Sequence, residues 1–131
     1  MTQRVATCSC GQLRANCEGE PVRVSMCHCL ECQKRTGSTF GAQARWPRDQ
    51  VAIEGRASAY VRVADSGKRI TFHFCPNCGS SVYYHLEDFP DVVAVTTGSF
   101  ADPTFPSPKF SVYESRKHTW SGIPADAQHF D

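Results

Sequence analysis

Alternation of polar and apolar positions runs through most of the chain. Over residues 12–17, Leu13, Ala15 and Cys17 fall on one face of an extended segment. Residues 58–64 set Val61 and Val63 against Tyr60, Arg62 and Ala64, and Ile70, Phe72 and Phe74 alternate with Thr71 and His73. Residues 82–85 and 92–97 are rich in β-branched and aromatic side chains. A period of two with this composition predicts strands. Asp65-Ser66-Gly67 separates two of them, so residues 58–74 predict a hairpin. Residues 49–55 predict another short strand, stopped by Gly55. One stretch reads as helix, 30–36, about two turns long and ended by Gly37. Beyond Ala101, four prolines (Pro103, Pro106, Pro108 and Pro124) forbid a long helix, and that tail is expected to wrap the sheet. The expected class is mostly β. No linker or internal repeat divides the 131 residues, which predicts a single domain over 1–131.

Composition narrows the function. Hydrophobic residues at 40% and charged residues at 21% describe a globular chain rather than a disordered one. Formal charge is +1, with Lys and Arg scattered in ones and twos, so no basic stripe for nucleic acid is expected. No run approaches the roughly 20 apolar residues of a membrane helix. Residues 1–7 carry no apolar core before Cys8, so no export signal is expected, and a cytoplasmic protein with reduced thiols follows. In that compartment eight cysteines read as metal ligands rather than disulfides.

Their spacing sorts them. Cys75-Pro76-Asn77-Cys78-Gly79 places two sulfurs on one side of a tight turn, with glycine free to take the left-handed position that follows. This is a zinc knuckle. A redox dithiol would precede a helix, whereas this motif lies between two predicted strands. A structural zinc needs four ligands. The remaining pair comes from Cys8-Ser9-Cys10-Gly11 or from the group at 27–32, and Cys8 with Cys10 completes a four-cysteine set with nothing left over. Cys27-His28-Cys29-Leu30-Glu31-Cys32 then keeps three thiols, ahead of the predicted helix. Three protein ligands leave one position open for water or substrate, the arrangement of catalytic zinc. Alternatives are closure of this site by Cys17, His28 or His85 into a second structural centre, or a metal-free reactive thiol cluster. In an extended C-x-C segment the middle side chain points away from the sulfurs, so His28 is expected at the surface or supporting a ligand. Cys17 reads as a small buried hydrophobe, and Trp46, Trp120, Tyr83, Tyr84, Phe72 and Phe74 as core.

These motifs resemble the glutathione-dependent formaldehyde-activating enzyme family, which also includes the domain of centromere protein V. The resemblance runs from Cys8 to about Ile123. It rests on Cys8-Ser9-Cys10-Gly11, Glu18-Gly19-Glu20-Pro21, the 27–34 cluster with Thr36-Gly37-Ser38, 74–80, Gly98-Ser99-Phe100 and the Trp120 region. It implies a β-tent, short folded sheets around a structural zinc. By the same resemblance, Cys8, Cys10, Cys75 and Cys78 hold that zinc, and Cys27, Cys29 and Cys32 hold a catalytic one, two Zn2+ per chain. The implied reaction joins formaldehyde and glutathione into S-(hydroxymethyl)glutathione, a carbon–sulfur lyase chemistry. Gln33 stands where the family often has Arg.

Three thiolates leave a zinc site with net negative charge, which suits a soft thiol ligand. The expected partner is therefore a small thiol such as glutathione, with Lys34 and Arg35 as nearby cations for its carboxylates and Glu31 or His28 as candidate bases. Two other functions compete: a zinc-stabilised binding module, because related β-tents bind partners without chemistry, and a zinc-thiolate redox sensor. Oligomeric state does not follow from the sequence.

Overall fold

The structure is a computed structural model that describes residues 2–131; Met1, the first residue of the N-terminal stretch read above, lies outside it. Among the described residues the chain is mostly β, with one α-helix and two sheets, as the alternation predicts. The smaller sheet is antiparallel and runs β1 (Gln3–Thr7), β2 (Arg14–Glu18), β5 (Val51–Glu54). The larger has eight strands. From one edge they are β11 (Gln128–His129), β10 (Phe110–Val112), β3 (Arg23–Cys27), β4 (Gly41–Pro47), β9 (Phe89–Thr96), β8 (Ser81–Leu86), β7 (Arg69–Phe74) and β6 (Ser58–Val63). Only the pairings of β10 with β3 and with β11 are parallel. The tail thus wraps the sheet as expected, and it also extends it by two short strands.

Helix α1 spans Leu30–Thr36, as expected, and Gly37 closes it through a backbone bond to the Gln33 carbonyl. The hairpin β6–β7 turns at Asp65-Ser66-Gly67. Two strands begin later than alternation suggests. β2 starts at Arg14 because Gln12 and Leu13 belong to the turn after Cys10, and β5 starts at Val51 because Arg48–Gln50 forms a 3-10 turn. Strands β3 and β4 carry no clean alternation, since most of their side chains are covered on both faces of the sheet.

The main core lies between the sheets. Ala6, Leu13, Ala15 and Cys17 pack against Val24, Trp46, Val82, Tyr83, Val93 and Val95. Trp46 is fully buried, donates to the Gly19 carbonyl at 3.0 Å, and packs on Phe100 and Phe105. Phe72, Tyr84 and Ala94 form a second cluster. Their positions alternate with those of the main core, so this cluster lies on the other face of the sheet. Trp120 departs from expectation. It is 73% exposed and touches His118 edge-on, because the tail around it has no sheet to pack under.

Candidate metal centres

Two loops from different sheets meet at the first cysteine group. Cys8 and Cys10 follow β1, and Cys75 and Cys78 follow β7. Their four sulfurs lie within 4.8 Å of one another, with Cys8 and Cys75 buried and Cys10 and Cys78 exposed. The Sγ–Sγ separations, 3.6 Å for Cys8–Cys10 and 3.7 Å for Cys10–Cys75, match the edge of about 3.8 Å that a tetrahedron with Zn–S of about 2.3 Å requires. Donors surround the sulfurs as thiolates need. Leu13 N–H reaches Cys8 Sγ at 3.3 Å, Asn77 N–H reaches Cys75 Sγ at 3.3 Å, and the Gln12 amide reaches Cys75 Sγ at 3.0 Å. A hydrogen bond with the Ser80 hydroxyl, together with backbone donors, holds the Cys78 thiol down at about 5. Ser9 and Ser80 bond across the two turns, Oγ to Oγ at 2.9 Å. The donor set therefore fits zinc.

Gln12 also bonds both backbone groups of Arg56, and this requires the chain to pass very close at Gly55. Gly55 has φ of 94°, and a Cβ there would sit 1.9 Å from the Gln12 carbonyl oxygen.

The second group is local. Cys27 ends β3, Cys29 caps α1, and Cys32 lies in its first turn. The three sulfurs again lie within 4.8 Å of one another. Among the described residues no His, Cys, Asp or Glu adds a fourth ligand atom to this group. Cys17 is fully buried in the inter-sheet core, where burial lifts its thiol to about 12, so it does not close this site. His85 stands on β8 beside His73 and Tyr83. His28 is fully buried rather than at the surface, with Nε2 3.0 Å from Ser111 Oγ on β10. Cys29 Sγ accepts from the Cys32 backbone N–H at 3.3 Å. Hydrogen bonds from Cys27 and then Cys32 lower the Cys29 thiol to about 2, while the same contact with Cys29 pushes Cys27 far up.

One cavity opens at Cys29, and a second lies next to it. Cys29, Leu30, Tyr113 and Arg116 line one of about 450 Å³, and Lys34, Arg35, Phe72 and Phe74 line the other, about 350 Å³. Glu31 and Arg62 line both.

Residues 3–116 match the family model described as glutathione-dependent formaldehyde-activating enzyme. The chain belongs to this family. A Penicillium rubens protein, named provisionally as a glutathione-dependent formaldehyde-activating enzyme, is 27% identical over 82% of this chain. The match spans 65% of that relative's length. A Rhodobacter sphaeroides protein of known crystal structure superposes with a TM-score of 0.57 at 17% identity, covering 72% of this chain and 85% of its own, which shows a shared fold.

Within the formaldehyde-activating family frame, Gln33 has a definite task in this chain. Its amide N–H₂ donates to the His28 carbonyl at 2.9 Å and the Arg116 carbonyl at 3.1 Å, and its Oε1 meets His118 Nε2 at 2.9 Å. It ties the 116–118 strap to α1, which keeps Arg116 beside the Cys29 cavity. Lys34, read from the sequence as a nearby cation for the thiol's carboxylates, is paired with Glu31 at 2.9 Å. Arg62, Tyr113 and Arg116 carry no motif, and only the pairing of distant segments brings them to Cys29. No helix among the described residues is long and apolar enough to cross a membrane.

Proposed function

We propose that the chain joins a low-molecular-weight thiol to an aldehyde, and reverses that reaction, as in S-(hydroxymethyl)glutathione formation from glutathione and formaldehyde. The reading is of carbon–sulfur lyase type, with Cys27, Cys29 and Cys32 as the reactive centre and Cys8, Cys10, Cys75 and Cys78 as the structural one. The single observation that carries it is the three-sulfur group, with no fourth protein ligand among the described residues, opening into a cavity through Cys29. Cys27, Cys29 and Cys32 would hold a zinc ion, which would supply a soft Lewis acid able to lower the pKa of a thiol ligand.

The chain's own groups do the rest. The Cys32 N–H steadies the Cys29 sulfur, and Cys27 is held rigid at the end of a buried strand. In the forward direction the substrate sulfur bonds to the aldehyde carbon, and the thiol proton ends on the former carbonyl oxygen. The reaction is redox-neutral and needs no co-reactant. Glu31 lines both cavities, and we assign it to relay that proton. His28 is unsuited to relay it, being buried with its Nε2 on Ser111.

Thiols add formaldehyde spontaneously, so the test compares exchange rates among formaldehyde, glutathione and adduct for wild type, Cys29→Ser and buffer. Wild type should exceed buffer, and Cys29→Ser should fall to the buffer rate. Equal rates in all three overturn the reading and favour a binding module. Reversible zinc release by mild peroxide without turnover favours a redox sensor.

A further inference from the structure

We propose that the three-cysteine site selects thiols that carry carboxylates, and that Arg62 is the residue that sets this selectivity. The inference rests on the reading of Cys27, Cys29 and Cys32 as a thiol site, and it adds the receptor for the rest of the substrate.

The cavity at Cys29 and the one next to it share Arg62 and Glu31, so together they make a groove bent around those side chains. Pockets that bury small ligands run from about 300 Å³ upward, and each half of this groove reaches that size. Formaldehyde alone would leave most of it empty. An extended thiol, with its sulfur at Cys29 and its ends in the two halves, fills it.

Charge then selects among such thiols. Of the cations on the groove, Lys34 is paired with Glu31 at 2.9 Å, and Arg116 lines only the half at Cys29. Arg35 and Arg62 remain. Among the described residues neither is in an ion pair. Both guanidinium groups lie against Phe72, with Cζ 4.9 Å and 5.6 Å from the ring centroid. Two like charges on one ring repel unless an anion joins them. Arg35 Nη1 is also buried with no hydrogen-bond partner, an arrangement that proteins avoid unless a ligand completes it. A guanidinium resting on an aromatic face is held in orientation, and its N–H edge matches a carboxylate bidentately. Arg62 is the pivotal cation because it alone among them faces both halves of the groove. It comes from β6, the edge strand, so its side chain can be altered without disturbing the core.

A rival role for Arg62 is to balance the charge of the thiolates alone. S-methylglutathione separates the two, because it has both carboxylates but no free thiol. The experiment is calorimetric titration of the full-length, zinc-replete protein with S-methylglutathione and with its diethyl ester. Wild type should bind the diacid at least about tenfold tighter than the diester, and Arg62→Gln should weaken diacid binding by about tenfold. Arg62→Lys should lie between, and Arg14→Gln, which removes a cation from the other sheet, should match wild type. Equal affinity for diacid and diester, no binding of the diacid, or an unchanged affinity in Arg62→Gln each overturns the proposal. The thiol-site reading is tested separately by the absorption of the cobalt-loaded protein on adding β-mercaptoethanol, a neutral thiol. No spectral change there defeats the thiol site itself, whatever Arg62 does with S-methylglutathione.

Discussion

The two cysteine groups hold similar sulfur geometry by opposite means. The four-cysteine group joins loops 65 residues apart in sequence, one from each sheet, so its sulfurs meet only when both sheets are in place. The three-cysteine group needs one strand end and the first turn of one helix, all within residues 27–32. The first group is therefore coupled to the whole fold, and the second to a single corner of it. Metal bound at the first would contribute folding energy, whereas metal bound at the second would leave most of the chain's contacts unchanged. The first also has donors from Gln12, Leu13, Asn77 and Ser80, whereas the second has the backbone donors of Cys29 and Cys32 and a groove.

The largest effect should follow from breaking the first group. Cys75→Ser or Cys10→Ser should leave the protein unfolded or insoluble at 25 °C. Apparent structural-zinc energies of about 10–16 kcal/mol rival the whole stability of an ordinary domain. Circular dichroism and soluble yield measure this, and a mutant that melts like wild type would erase the contrast.

Gly55→Ala comes next. The new methyl group meets the Gln12 carbonyl oxygen at 1.9 Å, on a backbone with φ of 94°. About 3 kcal/mol or more of stability should be lost. Because Gln12 bonds Cys75 Sγ, zinc should also leave faster to a chelator. A loss of stability with unchanged zinc release would show that Gln12 does not support the first group.

At the second group Cys29→Ser should lower zinc from about two per chain towards one, with the melting temperature within a few degrees of wild type. Metal analysis under reducing, zinc-replete conditions decides it. A wild-type protein with a single zinc, or a mutant that unfolds, would make the two groups alike.

The smallest effect concerns pH and lies outside both groups. His73 stacks on Tyr83, with centroids 4.5 Å apart, and touches His85 edge-on. Burial holds both imidazoles below the usual histidine value, and Arg48 adds to this at His85. A base whose folded pKa is depressed leaves the unfolded chain holding more protons. Stability is then full above about pH 6.5 and falls as pH drops through and below that value. His73→Gln should shrink the fall in melting temperature between about pH 7.5 and 5.5 by a few °C at most. Zinc loss on the acid side is common to both proteins, so the comparison isolates His73. An identical fall in both would assign the acid sensitivity to the cysteines.

Much of this was legible in the chain. Helix Leu30–Thr36, the hairpin through Asp65-Ser66-Gly67 and the grouping of Cys8 with Cys10 and Cys75 with Cys78 follow from local rules: periodicity, turn chemistry and short ligand spacing. Such signals survive because the residues that interact are near one another in sequence, or belong to turns that preset their geometry. Other features were not legible. Strands β3 and β4 are buried on both faces, so no alternation marks them. The burial of His28 depends on Ser111, 83 residues away, which a parallel strand from the tail brings beside it. Lys34 and Arg35 adjoin the cysteines in sequence, yet Lys34 turns to Glu31, while Arg62 reaches the groove from the sheet edge. The sequence by itself determined which cysteines gather into the two groups, since short spacing at turns fixes which sulfurs share a side. Only the tertiary structure decided which cations and carbonyls surround them, because those neighbours are set by strand order and sheet packing rather than by distance along the chain.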